Sequence, residues 1–413
     1  MASNTLLERC RVNTNIENDV FVGIQKKDNY YEVDFPLGYH LSPDEKGLRK
    51  DILSLMNVLA RYTDKRESEL YGGLRNDDAT GIPIQAYLYL IKDYFERGYY
   101  KERETFYKVA QKGKISWGRT IKTQKPVMQD NEAFYLDFVV KRNTINEDAL
   151  ITLIHKFCVY ESFEKFGWLF TSFVPVKQKT CLTIKMMISV VNNKLQNTFK
   201  DQNKQLFKNM LAVLRQLDDD SKTDFKYGTY RFEYVWEKMI DRVFGISEKM
   251  DYFPKTSWNL LENKSYDNAY LEPDSVMLYG GKVFVLDAKY YKYGWSGAAR
   301  HLPESMSINK QITYGEYIAE SPKFMKDGQH PTVYNAFLMP YDSKGKKFPT
   351  GKPIHYIGTA ISDWKTGEHK YENVLGILMD VKYLMEIDSR LDESEIMKLA
   401  TFIEEKCPVC DSI

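Results

Sequence analysis

The chain has 413 residues, 43% hydrophobic and 28% charged, which supplies apolar material for a sizeable core and excludes a disordered tail. Lys plus Arg number 58 against 57 Asp plus Glu, so bulk charge draws it to no anionic partner, and a nucleic-acid surface must come from local segregation of charge. Five cysteines form no dense framework, no apolar run reaches the roughly 18 residues of a membrane span, and the first residues lack the apolar core of a signal peptide; the expectation is a soluble cytoplasmic protein.

In chain order, Asp44 to Tyr62 places Leu48, Ile52, Leu53, Leu55, Met56 and Leu59 at helical spacing. Ile84 to Arg97 predicts a second apolar helix and Glu147 to Phe166 a third, with Gly113 to Ile121 alternating like a strand between them. Residues 182–217 read as helix, with Leu182, Met186, Leu195, Phe199, Leu206 and Leu214 among the apolar positions. The acidic, polar Leu217-Asp-Asp-Asp-Ser-Lys222 interrupts the pattern and predicts a division into a mixed α/β domain over 1–220 and a second domain over 221–413. In the second part Phe232 to Phe244 is helical, and Asp251 to Trp258, with Pro254, is irregular. Val276–Tyr279 and Lys282–Leu286 flank Gly280-Gly281, where positive φ values permit a tight hairpin. Ser307 to Ala319 predicts a helix, and Val333 to Met339 and His355 to Ile361 predict strands, an α/β layer pattern.

Two acids flank the hairpin. Asp274 begins one strand and Asp287 ends the next, followed by Ala288 and Lys289. Period-two alternation puts Asp287 and Lys289 on one face, and the hairpin returns Asp274 to the same end. Phosphodiester hydrolysis needs a hard cation held by carboxylates and charge relief for the leaving oxygen, and two acids with one amine supply those roles. A lone Asp-x-Lys is usually a solvated pair. Here the apolar Val283-Phe-Val-Leu286 predicts a buried strand, and an acid at its end is costly unless bound.

Glu272-Pro-Asp274 followed by Leu286-Asp-Ala-Lys-Tyr-Tyr291 resembles the PD-(D/E)XK nuclease superfamily, and the Asp-Ala-Lys-Tyr-Tyr version is similar to LlaJI-type restriction endonucleases and McrC-like nuclease subunits. The resemblance implies a central mixed sheet flanked by helices over about 226–385. It implies a Mg²⁺ site (Mn²⁺ substituting) formed by Asp274, Asp287 and the Ala288 carbonyl, with Lys289 beside the attacking water. An acid from the preceding helix, Glu237 or Glu233, is implied to join. Ile308-Asn-Lys-Gln-Ile-Thr-Tyr314 is similar to the helix after the active-site strands in such nucleases, which implies that Gln311, with Tyr314 after it, faces the site and contacts substrate or orients the lysine, and that Lys310 contacts a phosphate. Asn335 to Pro340 resembles a core strand, and Gly113 to Ile121 resembles a segment ahead of the nuclease domain. The family implies DNA as substrate and a McrB-like AAA+ GTPase partner. No Gly-x-x-x-x-Gly-Lys-Ser/Thr run occurs in the sequence, so a motor would come from another polypeptide, and cutting both strands implies a homo-oligomer or hetero-complex.

Residues 101–125, with Arg119 and Lys122, and residues 177–208, with seven lysines against Asp201, are locally basic and suit a phosphate backbone, a partner surface or plain solvation. Cys407-Pro-Val-Cys410 lacks a second ligand pair for zinc and reads as two thiols in a frayed terminus. The reading is a Mg²⁺-dependent DNA endonuclease of a host-defence restriction system. A repair or recombination nuclease shares this chemistry. A non-catalytic DNA-binding assembly subunit would have no use for Asp274, Asp287 and Lys289 together.

Overall fold

The computed structural model describes residues 5–407, apart from 17–18, 28–29, 63–82, 130–131, 147–148, 172, 179, 219–225, 262–263 and 269. It is mixed α/β, with eleven α-helices and five sheets among the described residues. The chain forms two compact units, one joining residues 1–80 to 224–413 and the other comprising 81–223. The second cut lies close to the break expected at residue 220. A contiguous 1–220 domain is not what forms, because the first 80 residues cluster with the C-terminal part.

In the discontinuous unit, a four-stranded sheet runs in the order Cys10–Val12, Tyr30–Phe35, Val22–Lys27 and Lys226–Thr229. Its last pairing spans some 200 residues and needs glycine on both sides. Gly23 lies opposite Gly228, and a Cβ on Gly23 would stand 2.1 Å from the Tyr227 carbonyl oxygen. The helix Glu45–Tyr62 follows, burying Leu48, Ile52, Leu55, Met56, Val58 and Leu59, with Leu53 only half-buried.

The second sheet of this unit has five strands, ordered Ser275–Tyr279, Lys282–Ala288, Val333–Tyr341, Val374–Asp380 and Ile354–Ala360. The two outer pairings are antiparallel and the two inner ones parallel. Every residue of Val333–Tyr341 is buried, as its near-continuous apolar run requires of a strand covered on both faces. The helix Ser305–Glu320 makes the crossover between the parallel strands. Its Ile312, Tyr314 and Ile318 pack on Val283, Val285, Phe337 and Met339. On the opposite parity, Phe284 stacks on Tyr334 at 5.1 Å, and Trp236 of the helix Phe232–Phe244 donates to the Leu338 carbonyl at 3.2 Å. The helices Val381–Arg390 and Glu393–Lys406 complete the unit.

In the 81–223 unit, the helices Ile84–Arg97, Leu150–Phe166, Ile184–Gln196 and Asp201–Asp218 pack on one another. Glu102–Val109, Val139–Asn146 and Lys114–Ile115 form a three-stranded sheet.

Two expectations need correction here. Only Lys114–Ile115 of the alternating segment is a strand. The chain then turns into the helix Trp117–Thr123, because the Ser116 carbonyl accepts the Arg119 and Thr120 amides and the buried Thr120 hydroxyl takes the Val139 amide. The helix expected over 182–217 is broken after Gln196, where Asn197 and Thr198 side chains bond back to the Asn193 and Lys194 carbonyls. Phe199, expected among the apolar positions of that helix, lies in the break and is 89% exposed.

Candidate functional site

Gly280 and Gly281 have φ values of 57° and 76°, and this pair of left-handed residues closes a two-residue turn. The turn fixes the register, pairing Ser275 with Leu286, so Asp274 and Asp287 fall on the next rung. Asp274 Oδ2 accepts the Ala288 amide at 2.8 Å. Asp287, 7% exposed, takes the Lys289 ammonium at 2.7 Å, on the face that alternation predicts for both. The hairpin therefore brings together the three residues that the sequence reading put first.

Their electrostatics are strained. Burial pushes the Asp274 carboxyl up to about 8, and the neighbouring Asp287 and Glu237 push the same way, while the Ala288 amide partly offsets them. Burial works against the Lys289 charge, but Asp287 and Asp274 outweigh it and hold the ammonium above the usual lysine range. Glu237 is raised by burial, eased by Lys289 and raised again by Asp287 and Glu233. Of the two helix glutamates, Glu237 is thus the one whose charge meets the acids of the hairpin. Glu233, a turn earlier, pairs with Arg231 at 3.1 Å.

The surrounding elements clasp this end of the hairpin. Gln311, 1% exposed, donates to the Val285 carbonyl at 2.8 Å, and its own carbonyl oxygen is buried without a hydrogen-bond partner. Tyr314 donates to the Glu272 carbonyl at 3.0 Å, and burial and the charges of Asp287 and Asp274 raise its phenol. Lys310 is exposed, its ammonium 5.5 Å from the Tyr314 ring centroid. Lys249, which the sequence reading missed for want of any motif, bridges the Asp274 carbonyl at 2.6 Å and Asp241 at 2.8 Å. Arg119 and Lys122 belong to the 81–223 unit, where both are exposed and Arg119 lies 3.9 Å from the Tyr107 ring centroid.

A second constellation went unread. His40, Asp342 and Asp380 bring one ligand atom each within 4.8 Å of the others, the one such triple of His, Cys, Asp or Glu among the described residues. His40 Nδ1 stands 3.4 Å from Asp342 and 3.5 Å from Asp380. Asp380 is committed to structure, since its oxygens take the Ser343 and Tyr383 amides and it caps the following helix. Some 300 residues separate His40 from the two acids, so no spacing signals the cluster. Cys407 is buried at a helix end rather than frayed, and Cys410 lies outside the described residues. No helix among the described residues is long and apolar enough to cross a membrane.

Residues 21–362 match the family model of the LlaJI restriction endonuclease. The chain belongs to that family. A curated relative in Bacillus subtilis (strain 168), "Type II restriction enzyme BsuMI component YdjA", is 28% identical over 329 residues, 74% of this chain and 68% of the relative. Two solved assemblies from Thermococcus gammatolerans are also similar. The refined half-complex of McrB AAA+ hexamers with bound McrC matches at 16% identity and a TM-score of 0.38, covering 91% of this chain and 83% of that one. The McrBC complex matches at 17% identity and a TM-score of 0.20, covering 48% and 58%.

Proposed function

We propose that this restriction-endonuclease family member is a Mg²⁺-dependent endodeoxyribonuclease with a PD-(D/E)XK-type core, hydrolysing phosphodiester bonds in a host-defence restriction system. The observation that carries the reading is the meeting of Asp274, just ahead of one strand, with Asp287 of the neighbouring strand, and the pairing of Lys289 with Asp287. The donor set fits a hard divalent cation. Two carboxylates with the Ala288 carbonyl offer oxygen ligands, and Asp274, raised by burial and then by the neighbouring Asp287 and Glu237 charges, is an acid whose charged form a cation would relieve. When bound, Mg²⁺ (or Mn²⁺ in its place) neutralises phosphate charge and makes a coordinated water more acidic.

The protein's own groups do the rest. Lys289, held charged by the two acids, orients the attacking water and hydrogen-bonds the developing phosphorane oxygen. Glu237 adds a third acid behind the pair. Gln311 fixes the Val285 rung of the acid-bearing strand and the buried Tyr314 fixes the Glu272 carbonyl ahead of Asp274, while the exposed Lys310 on the same helix would contact a phosphate. Water attacks phosphorus in line and the opposite oxygen leaves, with no covalent enzyme intermediate.

The relative's description as a component motivates an assembly, and the resemblance of Asp287-Ala-Lys-Tyr-Tyr291 to McrC-like subunits suggests a McrB-like AAA+ GTPase as the other part, acting on DNA in the cytoplasm. Arg119 and Lys122 of the 81–223 unit would contact DNA or that partner. The test is purified protein with methylated and unmethylated plasmid and Mg²⁺, with and without the GTPase and GTP. Cleavage is expected, falling at least about 100-fold in Asp287→Ala. An Asp287→Ala protein that cuts as well as its parent rejects the assignment.

A further inference from the structure

Between Lys249 and Asp274 the chain leaves the unit as a two-stranded antiparallel ribbon, Ser257–Asn259 against Ser265–Asp267, every residue of which is exposed or half-exposed. Such a ribbon is marginal alone, so its sequence should favour polar groups on both faces. It does so on one face only. Ser257, Asn259, Ser265 and Asp267 occupy that face, whereas Trp258 and Tyr266 are paired directly across the ladder on the other, 63% and 64% exposed.

Both legs of the ribbon are fastened at the candidate site. At the entry leg, Lys249 holds the Asp274 carbonyl. At the exit leg, Tyr314 holds the Glu272 carbonyl, and the Leu271 amide closes the base on the Pro254 carbonyl at 2.9 Å. Eight residues separate Tyr266 from Asp274, so the aromatic rung lies within about 29 Å of the acid, comparable to one turn of duplex. Its formal charge is balanced, with Lys255 paired to Asp267 at 2.6 Å, so phosphate attraction is not its contribution.

We propose that this ribbon is a DNA-contacting element of the nuclease, with its Trp258–Tyr266 face packing on sugars and base edges flanking the scissile phosphate. A two-stranded ribbon is the size a major groove about 12 Å wide admits, and apolar ring contacts with sugars and base edges give affinity that does not depend on releasing counterions. The proposal rests on the hairpin acids being a DNA-cleaving site.

The test uses the full chain, with its partner where cleavage needs one, and a fluorescent duplex bound in Ca²⁺ across a salt series. Trp258→Ala/Tyr266→Ala is expected to weaken binding at least about tenfold while leaving the slope of log affinity on log salt unchanged. Trp258→Phe/Tyr266→Phe should retain affinity, and duplex-induced quenching of tryptophan fluorescence should shrink in Trp258→Phe. Melting curves confirm the fold of each variant. Unchanged binding and cutting by the Ala pair overturns the proposal. So does an Ala pair that keeps its duplex affinity but sediments as a smaller assembly, which makes the ribbon a protein contact. A parent that binds no duplex, or an Asp287→Ala protein that still cuts, overturns the nuclease reading itself, a failure seen in the parent or at the acid rather than at the ribbon.

Discussion

Asp274 sits where its charge is disfavoured, and that has a consequence for stability with a definite sign. Its carboxyl is raised from 3.8 to about 8 in the folded protein, first by burial and then by Asp287. The folded state therefore binds a proton that the unfolded chain releases, and the acid destabilises the fold increasingly as pH rises from about 4 to about 8, then by a constant amount. Without divalent cations, Asp274→Asn should melt at least about 2 °C above its parent at pH 8, the shift roughly 1 kcal/mol gives a domain of this size, and close to it at pH 4. The same shift ties cation binding to proton release, so apparent Mg²⁺ affinity should rise up to about tenfold per pH unit below about pH 8. Calorimetry in two buffers of unlike ionisation heat measures that proton; zero protons released at pH 7 contradicts it. Asp274, Asp287 and Lys289 were legible because strand alternation and a Gly-Gly turn fix their geometry locally. Glu237 was not separable from Glu233, since residues four apart share a helix face and only tertiary burial distinguishes them.

At the scale of elements, the hairpin turn is the local part on which the site's register depends. With φ positive at both residues, the turn excludes β-branched side chains although nothing lies within 4 Å of a Cβ at either position. Gly281→Val should cost about 1–2 kcal/mol in denaturant unfolding, whereas Gly280→Asn, a residue that tolerates this backbone, should change stability by well under half of that. Equal losses from both would mean the turn is not what holds the strands in register. The helices Ile84–Arg97 and Phe232–Phe244 were readable to the residue because their apolar positions recur at a helical period throughout. The break at Asn197 was not, because side-chain bonds to the preceding turn decided it against the apolar pattern. The short strands near the N-terminus have little periodicity of their own and owe their form to partners elsewhere, Lys226–Thr229 among them.

At the scale of the molecule, the discontinuous unit is held by contacts that no local pattern announces. The Leu37 amide bonds the Tyr290 hydroxyl at 2.8 Å, immediately after the Asp-Ala-Lys run, and Arg61 and Tyr62 close on buried Asp388. His40 is the third such tie, joining the segment after the first sheet to Asp342 and Asp380 at the ends of two strands of the second. The Asp342 and Asp380 carboxylates, as acceptors beside Nδ1, raise its imidazole from 6.5 to about 9, over the opposition of burial. A folded pKa above the unfolded one means the tie contributes fully below about pH 6.5 and is lost as pH rises through about 9. Since Asp274 titrates over an overlapping range, the quantity to measure is the difference in unfolding free energy between the protein and His40→Asn, in chelator so that no cation competes for the three ligand atoms. That difference should favour the parent at pH 6, narrow between pH 7 and 9, and vanish near pH 10. Parallel profiles from pH 6 to 10 would mean that protonated His40 does not hold residues 1–80 to the C-terminal sheet, and that the pairing of Val22–Lys27 with Lys226–Thr229, Leu37 with Tyr290, and Arg61 with Asp388 does so without it.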